Sequence, residues 1–190
     1  MCYHISVPPP DIIKQSFEYA ILPDKWEHFY HHLSGFTFAK TPVITAEVPD
    51  KIQHFHWGLI PRWVKDEEQA AKLRQWCLNA TCETIYEKPA FKLLNSYSII
   101  TCPANLLFEK IHNQKKRMPV IVAKENEKKW LDFNLPEKII SSLMVPFDER
   151  KMASHTISKL ITSKNENANV AEVKDNFIYN ELPQLFVDGF

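Results

Sequence analysis

The sequence predicts one domain that mixes helices with strands, on three observations. A chain of 190 residues, 45% of them hydrophobic, is long enough for one core of ordinary size and too short for two to be expected. Segments with helical spacing alternate with β-type runs along most of its length. No internal repeat or low-complexity tract interrupts them, and no stretch approaches the roughly 18 apolar residues of a membrane span.

After a Pro-rich start at Pro8 to Pro10, the run from Asp11 to Ala20 carries Ile12, Ile13, Phe17 and Ala20 at helical spacing, which predicts a short amphipathic helix. From Thr41 to Pro61 the pattern becomes β-type, with Val43 to Thr45 and Ile52 to Ile60 punctuated by Pro42, Pro49 and Pro61. Asp66 to Trp76, rich in Glu, Ala, Lys and Arg, predicts a second helix. Tyr97 to Thr101 reads as a buried strand, and Pro103 is placed for the first turn of a helix running to about His112. On that helix Asn105, Glu109 and His112 share one polar face, with Leu107 and Ile111 turned toward the core. Met118 to Val122 predicts a strand, Glu125 to Phe133 and Glu137 to Leu143 predict helices, and Ser163 to Asn169 a polar loop.

Composition excludes several classes of function. There are 23 basic and 23 acidic residues, so attraction to a nucleic acid must come from a local patch rather than from net charge. The only glycines are Gly35, Gly58 and Gly189, which rules out a Gly-rich phosphate loop of the usual kind. Cys2, Cys77, Cys82 and Cys102 form no CxxC pair, and no signal peptide precedes them, which favours a reducing cytoplasm. His28, His31 and His32 have a spacing that could hold a metal on a helix, but no Cys or carboxylate cluster closes a site; neither a metal nor an organic cofactor is called for.

Cys2 carries the most distinctive chemistry. Removal of Met1 would leave it as residue one, with an α-amine of reference pKa about 8 beside a thiol of about 8.5. This pair suits an aldehyde: the amine condenses to an imine, and the thiol closes on the same carbon to give a five-membered thiazolidine. An internal cysteine or a lysine cannot form that ring.

Four further features line up with it: Trp57-Gly58-Leu59-Ile60-Pro61-Arg62-Trp63; Asn79-Ala80-Thr81-Cys82-Glu83-Thr84 followed by Glu87-Lys88-Pro89-Ala90-Phe91; Ile111-His112; and Arg117-Met118-Pro119-Val120-Ile121. In this order, behind Met1-Cys2, they resemble the SOS response-associated peptidase family of abasic-site sensors, over the chain to about Ile161. The resemblance implies a compact α+β fold around a twisted, barrel-like set of antiparallel strands. It also implies an N-terminal cysteine at the floor of a DNA cleft, where it bonds the ring-opened aldehyde of an abasic site in single-stranded DNA. Cys2 takes that role, Asn79 helps fix the N-terminus and the opened sugar, and His112 is the acid/base assisting ring opening. The implied protein is a soluble, enzyme-like DNA-repair monomer.

Each assignment has a plainer rival. Histidine titrates near neutrality and suits proton transfer, but His112 could be a structural residue. Asn79 could cap a turn. Trp57 and Trp63 could pack in the core or stack on a splayed base. Arg62, Lys110, Lys115, Lys116 and Arg117, beside Met118 and Pro119, could track phosphates or form a solvated basic turn.

The chain also departs from the family pattern. The Tyr-Glu-Trp-like segment that normally follows the Lys-Pro-Ala-Phe block, with its acid/base glutamate, is absent, so a strand pair is expected to be missing and sheet edges exposed. Glu109 could substitute for that glutamate or serve only a helix face. The usual arginine after Asn-Ala is Thr81, and the usual basic residue near Cys2 is His4, which predicts weaker DNA affinity. Two alternatives therefore stand beside the cross-linker: a relative that binds single-stranded DNA or a partner without chemistry, and a thiol-dependent peptidase.

Overall fold

The structure, a computed structural model, describes residues 2–26, 29–60, 63–87, 95–111, 115–163 and 165–181. Its α+β character is as expected, but among the described residues the strands form three small sheets and no closed barrel. Strand β1 (His4–Val7) pairs antiparallel with β2 (Tyr30–Ser34), with helix α1 (Pro10–Ser16) between them in the chain. A hairpin of β3 (Lys40–Thr45) and β4 (Val48–Trp57) follows, then α2 (Glu67–Arg74) and the short β5 (Asn79–Thr81). β4 pairs parallel with β6 (Ser96–Tyr97), and β5 pairs parallel with β7 (Ile99–Pro103), so the set is not wholly antiparallel. β7 then pairs antiparallel with β8 (Arg117–Pro119). Helices α3 (Leu106–Ile111), α4 (Glu127–Trp130) and α5 (Glu137–Ser141) follow, and short 3-10 turns lie among the described residues as well.

Local chemistry explains where these elements depart from the sequence pattern. The helix predicted to reach Ala20 stops at Ser16, where Phe17 leaves helical geometry and Lys14 Nζ donates to the carbonyls of Glu18 and Ala20. The predicted strand Tyr97 to Thr101 is two strands, because Ser98 turns aside to donate its hydroxyl to the Cys77 carbonyl. On one side of that break Gly58 N–H donates to Tyr97 O, and on the other Ile99 N–H donates to Leu78 O, so the chain changes sheets at Ser98. Pro103 ends β7 rather than starting a helix. Asn105 begins α3: its Oδ1 accepts from Phe108 N–H, and it is buried with its amide donating to Phe147 O at 2.7 Å. As predicted, Asp66 opens α2, accepting from Gln69 N–H at 2.8 Å.

Two apolar clusters hold the sheets. Val7, Ile13, Ala20 and Ile52 pack α1 against β1 and β4. Leu33, Trp57 and Leu78 form the second, with Tyr3, Ile5, Tyr97 and Ile99 around them. Among the described residues β1 pairs only with β2 and β3 only with β4. Both strands line one apolar cleft of about 480 Å³, together with Ile13, Phe17 and Tyr97.

Candidate functional site

Cys2 lies two residues ahead of the start of β1, and β5 delivers Asn79 to it across 77 positions of sequence. The Cys2 N–H donates to Asn79 Oδ1 at 3.1 Å, and Asn79 Nδ2 donates back to the Cys2 carbonyl at 2.9 Å. One side-chain amide thus holds both backbone polar groups of the residue bearing the thiol. Strand alternation explains how Asn79 is free for this: Leu78, 1% exposed, points into the second core cluster, and its neighbour is turned the other way. Trp57 keeps Leu78 in place by donating its indole N–H to the Leu78 carbonyl at 3.0 Å.

The thiols differ in surroundings. Burial pushes the half-buried Cys2 thiol up, with the positive charge at the chain's start opposing. Cys102, fully buried, is pushed up to about 11, mainly by burial. Burial and then neighbouring Glu83 raise Cys82. The four cysteines are free, with no disulfide. Of these groups, only Cys2 has an adjacent α-nitrogen that chain trimming could turn into an amine. Among the described residues no cluster of three or more His, Cys, Asp and Glu could hold a metal ion, and no helix is long and apolar enough to cross a membrane.

Other predicted site residues have different surroundings. Trp57 is 0% exposed and has no face to offer a base, so it belongs to the core. Trp63 is 62% exposed. Met118 is fully buried and Pro119 pairs with Thr101 in the sheet. Arg117 is held by Glu83 in a two-pronged ion pair, Nη1 to Oε1 at 2.6 Å and Nη2 to Oε2 at 2.8 Å, and also donates to Thr101 O. This pair lowers Glu83 to about 2, chiefly through the hydrogen bonds from Arg117. The arginine therefore ties β8 to the turn after β5 and is not free to track phosphate. Glu109 pairs with Lys116 at 3.7 Å, which discharges another part of the expected basic cluster. His4 stacks on His32 with 2.9 Å between Nδ1 and Nε2, and burial lowers both imidazoles. His4 therefore adds no firm positive charge near Cys2. Arg62 and His112 lie outside the described residues, as does His28 of the histidine trio; His31 and His32 lie in β2, a strand, not a helix.

The sequence reading missed three aromatic residues beside Asn79. Tyr3, Phe36 and Trp76 line a cleft of about 230 Å³ with Gln75, Leu78 and Asn79. Trp76 is three residues ahead of Asn79, and that spacing was the one signal available.

An α+β chain that pins the backbone of its second residue, a cysteine, to a strand-borne asparagine fixes the place of one thiol-bearing residue in the fold. The SOS response associated peptidase (SRAP) family model matches residues 1–95 and 92–164, and the chain belongs to that family. It is 27% identical over 213 residues to the abasic site processing protein YoqW of Bacillus subtilis, covering 83% of this chain and 92% of that protein. It is also 27% identical over 190 residues to the abasic site processing protein YoaM of the same organism, covering 70% of this chain and 81% of that one. A crystal structure of a Bacteroides thetaiotaomicron protein superposes with a TM-score of 0.78 at 27% identity, over 93% of this chain and all of the other. One from Bordetella bronchiseptica, at 15% identity and TM-score 0.61 over 77% and 95%, shares the fold.

The comparisons also bear on length. A 213-residue alignment that draws on only 83% of 190 residues leaves about a quarter of its length facing no residue here. The two matched blocks meet at residues 92–95, just ahead of β6. Tyr97 of β6 lines the apolar cleft bordered by β1 and β3.

Proposed function

We propose that this chain captures abasic sites in single-stranded DNA by a covalent bond to Cys2, once Met1 has been removed. The observation that carries the reading is the two-point hold of Asn79 on the Cys2 nitrogen and carbonyl. It is supported by the family and by relatives named abasic site processing proteins. The amine lone pair adds to the aldehyde carbon of the opened sugar, and the carbinolamine loses water to give an imine. The thiol sulfur then adds to the imine carbon, and its proton passes to nitrogen, closing the thiazolidine. One water leaves overall and no oxidant is needed. Asn79 Oδ1 accepts a hydrogen from the amine and so orients its lone pair, while the Nδ2 contact restrains the rotation that would carry the thiol away. His112 is assigned to the proton transfers on the family resemblance.

The test is an intact-mass measurement on protein beginning at Cys2, before and after incubation with a single-stranded oligonucleotide bearing one abasic site. The expected species is protein plus DNA less one water, stable on a denaturing gel and absent from Cys2→Ala. Unchanged masses with intact Cys2 refute the reading. The absent Tyr-Glu-Trp-like segment and Thr81 in place of the usual arginine favour a second reading, a relative that binds without bonding; binding to this oligonucleotide with no adduct is its signature.

A further inference from the structure

We propose that Tyr3, Phe36 and Trp76 form a stacking site for the nucleobase adjoining the abasic sugar, an inference that rests on the function proposed above. Three observations lead to it. Trp76 is 77% exposed and Phe36 51% exposed, yet both line one concave cleft, so neither is accounted for by the core. The Tyr3 and Phe36 rings are already stacked, with centroids 5.3 Å apart and planes inclined by 27°. The cleft adjoins the proposed covalent site through two of its lining residues, since Asn79 holds Cys2 and Tyr3 is bonded to Cys2.

The aromatic wall is built in advance. Gly35 N–H donates to the Tyr3 carbonyl at 2.8 Å, which seats the 3-10 turn Gly35–Thr37 against the residue after Cys2. A side chain at position 35 would come within 3.1 Å of both Leu78 and Trp57, so glycine permits the turn to approach the core and bring Phe36 over Tyr3. Elsewhere in the lining, Gln75 Nε2 donates to Lys72 O at 3.1 Å, and Trp76 N–H donates to Leu73 O, anchoring the turn after α2. The occupant that fits is flat, has two π faces and comes attached to the aldehyde that Cys2 takes. A base flanking an abasic site meets all three conditions. Stacking on an aromatic platform tolerates every base, so this site confers affinity without sequence preference. It also offsets the weakness of the basic cluster, whose Arg117 is engaged by Glu83.

The experiment uses the full chain and single-stranded oligonucleotides carrying a tetrahydrofuran, which has no aldehyde, flanked on either side by 5-iodouracil. Irradiation is expected to couple the iodouracil of at least one oligonucleotide to Tyr3, Phe36 or Trp76, read by peptide mapping. Trp76→Ala is expected to weaken binding by about 5- to 150-fold, the range of one lost base stack. Trp76→Phe should restore most of it. Circular dichroism checks that the exposed substitution leaves the fold intact. Mapping to none of the three residues, or equal affinity for Trp76→Ala and the parent, overturns the proposal. A natural abasic oligonucleotide run in parallel separates the two ideas. Adduct formation at the parental rate with no aromatic coupling removes the base site alone. Aromatic coupling without any adduct supports the base site and removes the cross-linking.

Discussion

Replacing Asn79 by alanine removes the two hydrogen bonds that hold Cys2, at 3.1 Å and 2.9 Å, while leaving the backbone pairing of β5 with Ile99 intact. A hydrogen bond of this kind contributes about 0.5–1.5 kcal/mol net, so the pair contributes about 1–3 kcal/mol to keeping the nucleophile in place. Because Cys2 is only half-buried, water can replace part of what is lost, which places the expectation toward the lower half of that range. If the held cysteine is the reactive arrangement, the single-turnover rate of adduct formation should fall about 5- to 30-fold. The assay mixes excess protein with an abasic oligonucleotide and follows the adduct on denaturing gels. Affinity for the tetrahydrofuran oligonucleotide is measured alongside, so that a loss of binding is told apart from a loss of rate. Asn79→Asp sharpens the test: it keeps one acceptor for the Cys2 nitrogen but replaces the amide donor with an oxygen facing the Cys2 carbonyl. A carboxylate there also favours the protonated amine, so this variant should be slower still at neutral pH and partly recover at higher pH. A fully folded Asn79→Ala protein that cross-links at the parental rate would refute the argument that Asn79 positions Cys2.

Three further outcomes are expected. Glu83→Gln should destabilise the protein by about 1 kcal/mol at pH 7, a figure kept small because Glu83 is half exposed. Since the folded-state carboxyl lies at about 2, below its ordinary 4.5, the parent's advantage in urea midpoint is complete above about pH 4.5 and disappears as pH falls toward 2; a pH-independent gap would contradict this. Trp57→Phe forfeits the bond to the Leu78 carbonyl and leaves space in the core, costing about 1–3 kcal/mol by chemical denaturation while DNA affinity below the transition is unchanged; loss of affinity without loss of stability would mean Trp57 contacts DNA after all. Gly35→Ala should cost about 1–3 kcal/mol, because the added methyl must push Leu78 or Trp57 aside, and calorimetry showing no loss would mean the turn adjusts freely.

The division between sequence and structure follows from the range over which each property is decided. Covalent and local properties were legible in the chain. An N-terminal aminothiol needs no fold to be chemically distinctive, and residue order in separated motifs was enough to predict the family that the matched residues show. Helix α2 and its Asp66 cap, and the β3 and β4 hairpin, obeyed local periodicity and capping. β1 and β2 were not legible because each is short, polar on one side and, among the described residues, paired with no other strand. The single predicted strand at Tyr97 to Thr101 became two because Ser98 finds its acceptor in Cys77, 21 residues away.

The same distinction governs the site. Nothing local separates Trp57 from Trp76, since both are tryptophans beside candidate motifs. Leu33 of β2 and Leu78, just ahead of β5, bury the first completely, while the second follows α2 in a surface turn and stays in solvent. Arg117 looked like a phosphate ligand until Glu83, 34 residues earlier, arrived as its counter-ion. By itself, the sequence determined which chemistry the chain could offer and most of the element types, because those depend on bonded neighbours and short-range spacing. Tertiary structure alone decided which aromatic faces are open, which cation is already neutralised and where Cys2 is held, because burial and pairing depend on partners that only folding brings together.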